Sequence, residues 1–488
     1  MIALALILFA CVAWVRPRLA LGVILFLLPF GHLVRFSIAG VPFTFPEAAV
    51  YVLAVVLIAR RAVPQRHCER AEGECGNPGV RAPMDGIASS LAAPRNDRIW
   101  WRDPWIALPL LWMLVAAIAA IGSPAGMRAW GIWKAYFVAP VALFLVVRAL
   151  QKDLDTARHV IAPLALGAFL VAALAIVQRW WPIGVPHPWV VPGEFRATSV
   201  FGYPNAVGLY LAPLIPLFIG AALSVPLSLR GRSRSNPGHE KTEIASPRAA
   251  RLAMTASFVS VALLSILAIA FAKSTGAIVA LAAVAPVFVA SMWRARGGRK
   301  EEASRRRMSA WPAAIVVAWI ALSLFLTAWL PYQGERHWGP PLVQKLAFQT
   351  WSGSVRLSQY RETWALLRDH PIRGAGLAGY PQAIAPYHED PRVEIFLYPH
   401  NVLLAVWVEL GLAGLLVFLV MLYQFFRTVL TAYGLRLTAA SIAAMLVLLI
   451  HGLVDVPYFK NDLALLFWVI IAIAVVLSDR LENRTQST

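Results

Sequence analysis

The sequence predicts an all-α fold, a polytopic bundle of membrane-crossing helices with one large extracytoplasmic loop, and three observations predict it. Of the residues, 59% are hydrophobic and 14% charged, with a mean hydropathy of +0.65, a balance no soluble domain of 488 residues would tolerate. Apolar runs able to cross roughly 30 Å of hydrocarbon as helices recur along the chain. The charges are gathered between those runs.

In order, the runs are 2–15, 19–34, 45–59, 104–122, 130–148, 158–177, 204–226, 252–271, 277–293, 311–330, 401–425, 438–454 and 463–478, about 12 or 13 spans. The first has neither a basic segment before it nor a small-residue cleavage site before Arg16, and reads as a retained span. The segments 60–103, 230–251 and 294–307 carry 8, 6 and 7 of the 44 Lys and Arg, which assigns them to the cytoplasm. The net charge of +19 is therefore a mark of membrane topology, and no nucleic-acid partner is expected. Alternation puts 178–203 and 331–400 outside. Within 331–400 the 7 basic residues are nearly balanced by 6 acidic ones, as an external loop allows. The chain thus divides into a bundle at 1–330, a helical external loop at 331–400, further spans at 401–478 and a cytoplasmic tail at 479–488.

The linkers 60–103 and 230–251 are rich in Arg, Gly, Pro and Ala without apolar periodicity and read as solvated, without chemistry. Cys68 and Cys75 beside His67 form no convincing ligand set, Cys11 lies in a span, and no metal site or disulfide is expected. Lys134, four residues into its run, reads as an anchor reaching back to the interface. In 178–203, Trp180, Trp181 and Trp189 mark a membrane–water boundary and deliver Arg196 shortly before Pro204 and Asn205. The turn 272–276 keeps Lys273 at the same face, and 438–454 ends near His451 and Asp455.

The most polar, residue-specific stretch is Arg356–Gly414. Arg356–Arg368 predicts a short helix with Leu357, Tyr360, Trp364 and Leu367 on one face, stopped by Pro371 and by Gly374, Gly376 and Gly379. His400 and Asn401 then stand at the mouth of a span, where free N–H groups favour an anion. Arg196, Lys273, Arg356, His400, Asn401 and Asp455 converge on one face. Arginine forks hold phosphate oxygens while a neutral imidazole accepts a proton from an attacking hydroxyl. The bland alternatives are snorkelling cations for Lys273 and the arginines, and a helix-capping role for His400. Glu409, inside a span, must face protein. The external loops hold no paired-carboxylate cluster for Mg²⁺, so a metal-free reaction without cofactor is expected.

Arg356…Trp364…His370-Pro371…Gly374-Ala375-Gly376, followed by Pro399-His400-Asn401…Glu409-Leu410-Gly411-Leu412-Ala413-Gly414, resembles the signature of the O-antigen ligase and polymerase superfamily. RATSVFGYPNAVGLYLAP at 196–213 is similar to that family's earlier loop-to-span motif, and the likeness runs from about Trp180 to Phe467. Where the family often shows Ser-Arg-Gly, this chain has Ser274-Thr275-Gly276, so either Lys273, one residue earlier, replaces that cation or the role is lost. The resemblance implies a C-type glycosyltransferase-like bundle in the bacterial cytoplasmic membrane. It implies transfer, at the outer face, of an undecaprenyl-diphosphate-linked glycan to a glycan or lipid-linked acceptor. Arg196, Arg356 and Lys273 would hold the diphosphate and His400 would act on the acceptor, supported by Asn401, Arg361 and Glu409. A transporter and a non-catalytic polysaccharide-assembly component are the alternatives. The transporter lacks an internal repeat, and the assembly component has no use for Arg356 and His400 together.

Overall fold

The structure, a computed structural model, describes residues 2–38, 40–62, 103–190, 195–224, 247–294, 311–325, 344, 348–431 and 436–486. Most of the three basic linkers, with Cys68, Cys75 and His67, and residues 331–343 lie outside the described residues.

Each predicted run forms a helix. They are α1 (Ile2–Val15), α2 (Pro17–Leu27, continued as a 3-10 turn to Leu33), α3 (Phe45–Ala62), α4 (Pro104–Ile121), α5 (Met127–Ala149) and α6 (Ala157–Val177). Then come α7 (Pro204–Ser224), α8 (Pro247–Phe271), α9 (Thr275–Arg294) and α10 (Trp311–Leu324). In the external loop lie α11 (Trp351–Asp369) and the short α12 (Tyr380–Ile384), followed by α13 (Val402–Thr431), α14 (Arg436–His451) and α15 (Asn461–Gln486). Among the described residues, eight helices are long and apolar enough to cross a membrane, α4 to α9, α13 and α15. The other runs make shorter or more charged helices. α1 and α2 are separated at Arg16, with Pro17 opening the second, and α3 carries Glu47, Arg60 and Arg61 at its ends. Two boundaries differ from expectation. The tail after 478 continues α15 as far as Gln486, and a β-hairpin, β1 (Arg35–Ile38) with β2 (Val41–Thr44), joins α2 to α3.

α15 is the axis of the bundle. Every residue from Leu463 to Ser478 is buried, as befits a helix that is apolar all round. It packs on α5, α13 and α14, while α7 sits between α8 and α14. A Cβ at Gly220 of α7 would overlap that of Ala440 on α14, so the small residue sets how closely these backbones approach. α8 and α9 leave Leu263, Val287 and Val289 exposed on their outer faces, where lipid would replace protein.

The two ends of the bundle differ in chemistry. At one end Arg18 pairs with Asp153 at 3.4 Å, and Arg148 holds both Asp103 at 3.0 Å and Asp479 at 3.6 Å. α4 begins at this end, capped by Asp103. The opposite end gathers the hairpin, the 178–203 loop, the turn at 272–274, α11, α12 and the connector 452–460.

One span is broken. Gly411, at φ 69° and ψ −174°, divides α13 into 402–410 and 412–431. The loop after α11 fills the gap: Ala375 N–H donates to Val408 O (2.7 Å), Leu412 N–H to Ile372 O (2.9 Å), and Trp407 Nε1–H to Pro371 O (2.7 Å). Gly374, at φ 64°, lies so near Val408 O that a Cβ would collide with it.

Candidate active site

The connector 452–460 organises the polar end. Gly452 O accepts from Val402 N–H at 2.8 Å, and Leu453 O from Asn401 Nδ2 at 3.0 Å. Val454 O accepts from Arg356 Nε at 2.7 Å, and Asp455 Oδ2 from Asn205 Nδ2 at 3.1 Å. Four consecutive residues thus tie α7, α11 and α13 to one short strand of chain.

Around it stand the residues expected from sequence. Arg356 is five residues inside α11, not at its start, since that helix begins at Trp351; its Nη1 donates to Ser352 O at 2.7 Å. Arg196 lies over the Trp189 ring at 5.1 Å, with Nε donating to Ala272 O (3.0 Å) and Nη2 to Asn205 Oδ1 (2.9 Å). Arg196 is held through Nε and Nη2 and Arg356 through Nε and Nη1, which leaves Arg196 Nη1 and Arg356 Nη2 as donors for an anion. Burial, and then the charge of Arg356, push the Arg196 pKa down, so the two cations are within electrostatic reach of each other.

His400 Nδ1–H donates to Gln359 Oε1 at 2.6 Å, which leaves the lone pair on Nε2. Its ring meets Phe396 at 4.8 Å, and its carbonyl accepts from the Tyr360 hydroxyl at 2.7 Å. Burial lowers the imidazole pKa to about 4; Asp455 opposes the shift, while Arg356 and Lys460 add to it. His400 is therefore neutral at pH 7. Burial raises the Asp455 carboxyl, but His400 and His451, then Arg356 and the Val456 N–H, outweigh it and hold it below the usual range.

Two expectations need correction. Asn401 does not leave the mouth of α13 open for an anion, because its own Oδ1 accepts from Leu403 N–H (3.0 Å) and Leu404 N–H (3.1 Å) as an N-cap. Lys134 does not reach out to the interface: its ammonium pairs with Glu47 at 2.5 Å and Pro42 O at 2.6 Å and lies 3.5 Å from the Phe43 ring centre.

The structure brings Arg196, Arg356, His400, Asn401 and Asp455 together. Lys273 joins them through its backbone, in a left-handed conformation at φ 49°, where its carbonyl lies 3.4 Å from Arg196 Nη2; its side chain is exposed. Arg361, on the exposed side of α11, faces Glu389. Glu409 sits elsewhere, buried beside the break in α13, with Oε2 accepting from Ala378 N–H.

Glu409 opens onto a second polar region that the sequence reading missed. A cavity of about 770 Å³ adjoins the cluster, walled by the hairpin and the ends of α3, α5 and α15, with Arg35, Glu47, Arg128, Lys460 and Asp462 among its lining residues. Tyr398, two residues before His400, is part of its wall. The available signal was a rule, that an ionisable group inside a span needs a partner, applied to Glu47 and Asp462 near the starts of their helices.

The sequence pattern of the O-antigen ligase family matches residues 260–419, from within α8 to within α13. The match is narrower than the likeness expected over 180–467. It includes Lys273, Arg356 and His400, whereas Arg196 and the connector join the site by geometry alone. No curated protein matches the chain.

Proposed function

We propose that this chain, a multi-pass membrane protein whose residues 260–419 match the O-antigen ligase family, transfers a polyprenyl-diphosphate-linked glycan to an acceptor hydroxyl at the outer face of the cytoplasmic membrane. One observation carries this reading. Two guanidinium groups with unused donors and an imidazole with a free Nε2 surround the same connector.

In the proposed reaction the acceptor oxygen attacks the anomeric carbon and gives its proton to His400 Nε2. The bond from that carbon to the diphosphate oxygen breaks, and its electron pair leaves with the diphosphate. Arg196 and Arg356 would stabilise the charge that develops there, in positions already fixed by Ala272 O, Asn205 and Val454 O, so little reorganisation is needed. Asp455 counters the two cations when no substrate is bound, by way of Asn205.

The test is transfer from purified lipid-linked glycan by Arg356→Ala and Arg196→Ala proteins recovered from the membrane. Each should lose about a hundredfold to a thousandfold in rate, and full activity would remove that arginine from the site. Sidedness is separable. In a variant lacking native cysteines, an impermeant thiol reagent on intact spheroplasts should label a cysteine placed at Ser352 and spare one at Lys152, both exposed but at opposite ends of the bundle. The reverse pattern would overturn the orientation.

A further inference from the structure

His400 is gripped at two points by neighbouring residues of α11. The Tyr360 hydroxyl donates to the His400 carbonyl at 2.7 Å and lies 3.2 Å from Leu453 O, which fixes the histidine backbone against the connector. Gln359 reaches the ring itself, with Oε1 2.6 Å from Nδ1, and the Phe396 ring stands across the imidazole at 80°. The imidazole thus has a set position and a set plane.

Gln359 is a poor choice for packing alone. Its side chain is 3% exposed, yet its Nε2 is buried with no hydrogen-bond partner among the described residues. A buried donor left unpaired is costly, and leucine would fill the space without that cost. What the side-chain amide does make is the bond to His400, so its contribution is directed at the imidazole.

Two properties of an amide matter there. Its oxygen can only accept, which keeps the proton of the neutral ring on Nδ1 and the lone pair on Nε2. It is also uncharged. A carboxylate in the same place would accept from Nδ1 as well. Three residues along α11 from Arg356, however, it would cancel part of the positive charge offered to a diphosphate and would favour the protonated ring. The charged groups already acting on the imidazole are Asp455 and Lys460 on the connector and Arg356 on α11.

We infer that Gln359 is the positioning residue of His400: it sets which ring nitrogen takes a proton and, being uncharged, does so without weakening the cation cluster. Its importance to turnover rests on the reading above, in which His400 takes the acceptor's proton; its hold on the tautomer rests on the geometry.

The test is nitrogen NMR of full-length protein carrying isotope-labelled histidine, with the His400 signals identified by their loss in His400→Gln. Near neutral pH the unaltered protein should show Nδ1 protonated and Nε2 bare, and the opposite tautomer would overturn the inference without any change at Gln359. Gln359→Glu should keep that tautomer and move the titration of the ring upward by about one pH unit or more, because a carboxylate favours the imidazolium. The acid limb of kcat/KM should move with it. Gln359→Leu removes the acceptor and should lower kcat about tenfold to a hundredfold, with KM little changed and no upward movement of the limb. A residue that served packing alone would reduce the yield of folded protein but move neither the titration nor the limb. A Gln359→Glu titration at the unaltered pH, or full kcat in Gln359→Leu, would overturn the inference. The two readings fail separately: turnover retained by His400→Ala removes proton transfer to His400, whereas the opposite tautomer in a protein that His400→Ala inactivates removes the role of Gln359 alone.

Discussion

The cation cluster and the neighbouring cavity share one end of the bundle but are opposites in what they lack. In the cluster, carbonyls of residues 272, 352 and 454 hold the arginines, and N–H donors remain for an anion to use. In the cavity three cations meet three carboxyl groups, so it lacks the surplus of positive charge that the two arginines give the cluster.

The sharpest way to break this contrast is at His400. Removing a general base costs about a hundredfold to ten-thousandfold, so His400→Ala should lower turnover by that order while the arginines still retain the donor. The pH profile gives the sign. In the proposed reaction the neutral imidazole is the active form, and burial holds its pKa at about 4, not at the 6.5 expected of a free histidine, so kcat/KM should fall only as pH drops through about 4. A bound diphosphate adds negative charge beside the ring and raises that pKa, so kcat should fall at a higher pH than kcat/KM. Coincident profiles, or wild-type turnover by His400→Gln, would reduce the residue to a structural one. Chelators should leave the rate unchanged in the same assay.

Next in size is the difference between fork and point charge. Arg356→Lys should recover only part of the activity lost in Arg356→Ala, because lysine cannot bond Val454 O and phosphate oxygens with one planar group. Full recovery would show that charge alone suffices. Asn401→Ala removes an N-cap and the tie to Leu453 O; a thermal-shift assay should show about 1 kcal/mol of lost stability, and no loss would mean that the cap is dispensable. The smallest effect is expected at Lys273, which contributes its carbonyl to Arg196: Lys273→Ala should change transfer by less than about tenfold, within the loss of one exposed charge. A larger loss would return its ammonium to the diphosphate site.

The cluster was legible in the sequence because Arg196, Arg356 and His400 stand in polar loops against an apolar background. Asp455 was legible as a boundary residue, but not the connector's backbone, whose carbonyls carry no sequence signature. The cavity was not legible, for a physical reason. Arg35, Glu47, Arg128 and Asp462 are single charges at the ends of separate runs, where an interfacial anchor and a cavity wall read alike. Lys134 shows the ambiguity: its place one turn into a span fits snorkelling, and only the packing of α3 against α5 reveals Glu47 as its partner. Asn401 was placed correctly and misread in role, because a side chain that invites an anion to a helix mouth can also fill that mouth itself.

During insertion into the bilayer, α13 meets a problem of timing. Its two halves part at Gly411, and the carbonyl of Val408 and the N–H of Leu412 would enter hydrocarbon unpaired if the span were released alone. Their partners, Ala375 and Ile372, lie earlier in the chain and have already been synthesised when α13 emerges. The glycines before the span and the glycine within it are thus two halves of one joint, assembled in the order in which they are made. A chain shortened between them keeps every apolar residue of α13 and loses what lets that helix reside in a membrane.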